Sequence, residues 1–140
     1  QSLFPIDSAF KRRWEWKYMP ISNANHGWYI EVGENKYDWW TVLEAINVKV
    51  GTTTNSEDKK LGYFFAKPVG NRIAVDRFVS KVIFYLWNDV FKDYEFDDAI
   101  FNDGDGKLTF DKFYKKAGDE IVVAIEKVVL FLQNLGVKPL

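Results

Sequence analysis

Val75-Asp76-Arg77-Phe78-Val79-Ser80-Lys81-Val82-Ile83-Phe84-Tyr85-Leu86-Trp87-Asn88-Asp89-Val90-Phe91 is the stretch on which the fold turns. Val75, Phe78, Val79, Val82, Ile83, Leu86 and Val90 recur on one stripe, and Phe84, Tyr85 and Trp87 widen it, so the spacing predicts a central helix over 75–91. Upstream, Asp38 can cap a helix whose apolar positions Trp39, Val42, Leu43, Ile46 and Val50 follow the same rhythm and which should stop near Gly51. Downstream, the pattern predicts a short helix around Thr109 to Lys116. It predicts a last one from a cap at Asp119 through Ile121, Ile125, Val128, Val129, Leu132 and Leu135 to Gly136, with Val122, Val123, Leu130 and Phe131 on a second buried face.

The segments between these helices are short. Glu15-Trp16-Lys17-Tyr18-Met19 alternates charged and large apolar residues like a half-buried strand ended by Pro20. Trp28-Tyr29-Ile30-Glu31-Val32, closed by Gly33-Glu34-Asn35, reads as a second strand in a small hairpin or as an add-on strand. Residues 52–60 lack periodicity and read as a loop, followed by a short apolar segment over 61–66. The expected fold class is α+β, mainly α: a short β-hairpin or strand remnant followed by a helical bundle.

Composition narrows the function classes. A chain of 140 residues fits one domain, and an aromatic content of 18% makes its core bulky. A net charge of −1 with scattered basic residues gives no footprint for duplex DNA. The absence of cysteine excludes disulfides and thiolate metal sites and fits a reducing cytoplasm, where we expect the protein. No apolar run approaches the ~20 residues that span a bilayer, and none reads as a signal peptide, so no membrane partner is expected.

The run Ser2-Leu3-Phe4-Pro5-Ile6-Asp7-Ser8-Ala9-Phe10-Lys11-Arg12-Arg13-Trp14 carries the chemistry. Pro5 fixes its own backbone, and Asp7 or Ser8 can cap a short helix that ends in Arg12 and Arg13. Guanidinium stays charged and offers a planar fork of donors, which suits it to oxygens where charge builds up in phosphoryl transfer. The alternative is a basic helix end interacting with its own dipole.

This run resembles the segment of AAA+ ATPases between the first-sensor strand and the last core strand, in the form found in motor subunits of McrBC-type restriction systems. Leu43-Glu44-Ala45-Ile46-Asn47, Ser56-Glu57-Asp58-Lys59-Lys60-Leu61-Gly62-Tyr63-Phe64-Phe65 and Phe78-Val79-Ser80-Lys81-Val82-Ile83-Phe84-Tyr85-Leu86-Trp87 resemble the same branch. The resemblance implies a C-terminal piece: residues 1–36 as the end of an AAA+ core and 37–140 as a helical lid. It implies that Arg12 and Arg13 act in trans on a neighbour's nucleotide, with Arg13 as the finger and Arg12 in support.

The cofactor implied is ATP or GTP with Mg2+ in the full-length protein and none in this piece, since no Gly-x-x-x-x-Gly-Lys-Ser/Thr loop exists here. The partners implied are copies of the same subunit in a hexameric ring, an endonuclease subunit, and DNA reached through other domains. A lid of this class also contributes a basic group to the nucleotide. Lys60 and Lys67 are the candidates, against the reading of each as a solvated loop lysine, and Lys59, Arg72 and Arg77 are weaker ones.

Other motifs carry less. With Gly106 at the sixth position of a calcium loop, Asp103 and Asp105 fall on ligand positions and Leu108 on the hydrophobic one. Phe101 then stands first and Lys112 twelfth, where an ammonium opposes a cation. A tight Asp-Gly turn leading into a helix capped by Thr109 is the better account. His26 reads as a solvated loop histidine, Asp97-Asp98 as an acidic patch, and Phe84, Tyr85 and Trp87 as core. The rival function is a non-enzymatic helical interaction module, to which the aromatic surplus and near-neutral charge would belong.

Overall fold

The computed structural model describes residues 21–54, 57–90, 99–104 and 106–140. The Asp7- or Ser8-capped helix, Arg12 and Arg13, the strand at 15–19 and the Asp97-Asp98 pair lie outside the described residues. The fold class is α+β, as expected from the sequence: the described residues form two small sheets and three principal helices around one apolar core.

Strands β1 (Tyr29–Val32) and β2 (Asn35–Asp38) form the hairpin, joined by Gly33-Glu34. Gly33 takes a φ of 60° and Glu34 no positive φ, the arrangement of a two-residue II′ turn whose twist matches the strands. A Cβ at Gly33 would also come within 3.3 Å of the Ile125 side chain, so the turn is tucked against the last helix. A third strand, β3 (Arg72–Ala74), pairs parallel with β1 and gives the order β2-β1-β3; the sequence pattern does not predict it. Three residues of Arg-Ile-Ala offer too little alternation to read. In register, Tyr37, Ile30 and Ile73 form one buried row across the sheet, while Arg72 pairs with Glu31 on the other face.

Helix α1 (Trp39–Thr54) starts where predicted: the Thr41 N–H and hydroxyl donate to the Asp38 carboxylate at 3.0 and 2.9 Å. All five predicted positions are buried. The helix passes Gly51 instead of stopping there, and the hydroxyls of Thr52 and Thr54 donate back to the carbonyls of Val48 and Val50. The predicted loop over 52–60 is thus helical to Thr54 and resumes as a single 3-10 turn at Glu57–Lys59.

The central helix, α2, runs over 75–90 as the stripe predicts, with Phe78, Val79, Val82, Ile83, Leu86 and Val90 buried. Its winding is wider than α over Phe78–Ile83 and Leu86–Val90, and the Phe84 N–H reaches the Val79 carbonyl five residues back. Phe78, Val82, Leu86 and Val90, four apart, all lie on its buried side.

The C-terminal third departs from expectation. The predicted helix over 109–116 is a 3-10 turn at Phe110–Phe113 followed by a strand, β4 (Tyr114–Ala117), and the Thr109 side chain makes no cap. Asp119 does not cap a helix either: Gly118, with φ of 66°, and Asp119 turn the chain into β5 (Glu120–Val123), antiparallel to β4. The β-branched run Ile121-Val122-Val123 explains the preference for a strand. Ile121 and Val122 are exposed, so the second buried face does not reach that far.

The last helix, α3 (Ile125–Leu135), ends where predicted, at Gly136 in the left-handed region. Its Phe131 is a hub for Phe78, Phe101 and Phe113, with ring centroids 6.2, 5.5 and 6.0 Å away. Beyond it the Leu140 N–H donates to the Lys36 carbonyl on β2.

Candidate functional site

The segment 57–67, where Lys60 and Lys67 reside, is held in place from several sides. Asn47 on α1 faces it as a buried amide whose Nδ2 donates to the Leu61 carbonyl and whose Oδ1 accepts from the Leu61 N–H, both at 2.8 Å. That reciprocal pair satisfies both main-chain groups of a residue no sheet reaches. The Trp39 indole N–H donates to the Tyr63 carbonyl at 2.7 Å, again buried. From α2 the Tyr85 hydroxyl donates to the Lys59 carbonyl at 3.1 Å, and burial raises its pKa above the ordinary phenol value. Lys59 returns the tie, its ammonium donating to the Asp89 carbonyl at 3.3 Å.

Against this frame the two predicted lysines differ. Lys60 is half-buried and lays its stem across α1 so closely that a Cβ at Gly51 would lie 2.9 Å from its Cε. Because the contact is with the flexible end of the lysine, a Cβ at Gly51 would displace that end and leave the helix in place. Lys67 is exposed, just past the buried Ala66. Of the weaker candidates, Arg72 is committed to Glu31, which raises its pKa further, and Arg77 is exposed on α2.

The same segment meets the loop over 21–28 in an aromatic group that sequence reasoning missed. His26 is exposed, yet its ring stacks on Trp28 at 5.3 Å and lies 5.9 and 5.7 Å from Tyr63 and Phe64. Its backbone N–H donates to the Tyr63 hydroxyl at 3.2 Å. Two positive φ values, 59° at Asn25 and 72° at Gly27, bend the loop to bring it there. The readable signals are Gly27 and the Tyr63-Phe64-Phe65 run; their meeting depends on a contact 37 residues apart.

Phe84, Tyr85 and Trp87 are not the core residues expected: Phe84 is 42% exposed, and Tyr85 and Trp87 are half-buried at the edge of the core. Phe84 lies against Phe110 at 5.2 Å, and Trp87 against Phe101 at 5.2 Å. A groove of about 370 Å³ between β2 and α3, lined by Tyr37, Val129, Gln133, Val137 and Pro139 among others, presents chiefly apolar surface. Among the described residues no group of three or more His, Cys, Asp or Glu side chains could hold a metal ion, and no helix is long and apolar enough to cross a membrane. The arrangement is a fixed segment with the half-buried Lys60 and the exposed Lys67 on either side of the exposed Phe64.

The chain is 35% identical over 100 residues to "Type II restriction enzyme BsuMI component YdiS" of Bacillus subtilis (strain 168). The match covers 66% of this chain and 28% of that protein, so the chain spans little more than a quarter of the length of its curated relative. No family model matches the chain, and no solved structure matches it.

Proposed function

We propose that this chain is the C-terminal portion of an AAA+ nucleoside triphosphatase that serves a restriction system, with residues 1–36 closing the core and 37–140 forming the lid. The observation that carries the restriction-system part of the reading is the 35% identity over 100 residues to a restriction enzyme component; the AAA+ part rests on the resemblance of the motifs. The resemblance of the 2–14, 43–47, 56–65 and 78–87 runs to McrBC-type motor subunits points the same way.

In this reading Arg12 and Arg13 project toward the nucleotide of the neighbouring subunit in a ring. Successive helical residues point about 100° apart, so one arginine meets the terminal phosphate while the other holds the interface or a second site on the nucleotide. Arg13 takes the first role and Arg12 the second. Lys67 and Lys60 are the lid's cations, and Lys67, being exposed, is the better placed to reach a ligand. The residues present do not by themselves hold ATP or GTP with Mg2+, since the phosphate loop is lacking. The piece contributes charge to a site whose other parts belong elsewhere in the assembly, and the partners are further copies of the subunit, an endonuclease subunit, and DNA bound through other domains.

The test is nucleotide turnover by the full-length protein. Arg13→Ala should lower kcat for ATP or GTP hydrolysis by about 10³-fold or more with nucleotide affinity nearly intact. Unchanged turnover would favour the interaction-module reading, for which exposed Phe64, Val69 and Ile121 speak.

A further inference from the structure

Strand β2 is an outer strand of the three-stranded sheet, and the register of the hairpin decides which of its main-chain groups face outward. The two-residue turn over Gly33-Glu34 closes on Val32 and Asn35, which face each other as the first hydrogen-bonded pair. Such pairs alternate along an antiparallel ladder, so Ile30 and Tyr37 form the next one. Between them Lys36, opposite Glu31, turns its N–H and carbonyl away from β1, and Asp38, opposite Tyr29, turns its N–H the same way. The Trp39 N–H, which donates to the Trp28 carbonyl at 3.0 Å, keeps the alternation.

The tail already uses one of these outward groups. It leaves α3 at Gly136, and the Leu140 N–H donates to the Lys36 carbonyl at 2.7 Å. This is a single rung of strand pairing, delivered by lightly held residues: Lys138 and Pro139 are exposed, and Leu140 is 82% exposed.

Beneath this edge lies the groove of about 370 Å³ between β2 and α3. Side chains alternate along a strand, and Asn35 and Tyr37, on one side of β2, line the groove with Val129 and Gln133 of α3 and Val137 and Pro139 of the tail. Lys36 points to the other side, where its ammonium lies 5.0 Å from the centre of the Tyr29 ring and stays exposed. The carboxylates on that face are engaged, Glu31 with Arg72 and Asp38 with Thr41. A strand laid along β2 would therefore send every other side chain into an apolar groove and the alternate ones toward a lysine.

We propose that the free edge of β2 binds an extended segment of another protein by strand addition, apolar side chains entering the groove and acidic ones lying beside Lys36, and that the tail holds the first rung until that segment displaces it. Main-chain hydrogen bonds supply the attachment, and the alternation of apolar and acidic residues supplies the selection. A second copy of β2 lacks that alternation, because its Tyr37, the one large apolar side chain it carries, is buried under its own sheet. The tail also shields an edge that would otherwise invite indiscriminate pairing.

The test is a short fluorescein-labelled peptide of alternating valine and glutamate, titrated into the full-length protein and read by anisotropy. Leu140→Pro removes the N–H that the tail gives to Lys36 and should tighten binding by roughly 2- to 10-fold, the worth of one main-chain hydrogen bond. Lys36→Pro removes the outward N–H and the charge but no bond of the β1 ladder, and should weaken binding by roughly 10-fold or more. Lys36→Ala keeps the N–H and should lose only the part of the affinity that added salt also removes. A peptide of the same composition with its valines and glutamates in separate blocks should bind far less tightly. Equal binding of the two peptides, or no gain in affinity from Leu140→Pro, overturns the proposal. So does a Leu140→Pro protein that self-associates in sedimentation without binding the peptide, since the tail is then only a cover for the edge.

Discussion

Two loops are pinned to two helices in this molecule, and they are pinned by opposite means. The segment 57–67 lies on α1 through the neutral, buried Asn47 amide, whereas the turn over 101–112 lies on α3 through a partly exposed carboxylate shared by two ammonium groups. A buried amide with both partners in place is insensitive to salt and pH, but costly to remove, because the groups it served cannot turn to water. An exposed ionic tie is screened and titratable, and its loss leaves groups that water can solvate. The segment bearing the proposed lid cations is therefore the rigid one, fixed by a contact that solution conditions do not reach.

The largest effect expected from breaking this contrast is at Asn47. Asn47→Leu leaves the buried N–H and C=O of Leu61 unpaired and should cost about 2–4 kcal/mol in urea unfolding, equally at pH 7 and in mild acid. A loss below half a kilocalorie would mean that the loop has another anchor.

A smaller loss is expected at Asp103, and it should depend on pH. A carboxyl whose folded pKa is depressed stabilises the fold above its unfolded pKa, and that contribution disappears as pH falls through the folded value. Asp103→Asn should therefore be less stable than the wild type at neutral pH, and the gap should close in acid as the wild type also takes up its proton. Added salt should narrow it too. A gap that persists unchanged in acid would show that Asp103 acts through shape and not charge.

The first half of the described chain was largely legible in the sequence. Asp38 announced α1 by its capping chemistry, the row at 78, 82, 86 and 90 announced α2 by burial alone, and Gly33 closed the hairpin. The second half was not, and Ile121-Val122-Val123 shows why. Apolar residues contiguous with the true helix at Ile125 extend its stripe backward on paper, while Gly118-Asp119 and the β-branching point to a hairpin. Periodicity is satisfied by either until the turn is weighed. Strand β3 was hidden for another reason: its partner β1 lies some forty residues away, and three residues carry no pattern of their own.

At the candidate site the sequence supplied residue types but not their neighbours. Lys60 and Lys67 sit on one short segment, yet packing on Gly51 holds the first and leaves the second in solvent. The spacing of Lys112 from Asp103 was readable, but the tie its ammonium makes to that carboxylate and to the Lys107 carbonyl depends on how the turn closes.

The central claim is that Arg13 works in the active site of a neighbour, and mixing tests it most directly. A full-length subunit carrying Arg13→Ala retains its own nucleotide site, while a full-length subunit disabled in its phosphate loop retains Arg13. Each alone should be inactive. Combined in one ring, they should recover a substantial part of wild-type hydrolysis, because the arginine of the second serves the nucleotide of the first. A mixture as inactive as either component would contradict the account.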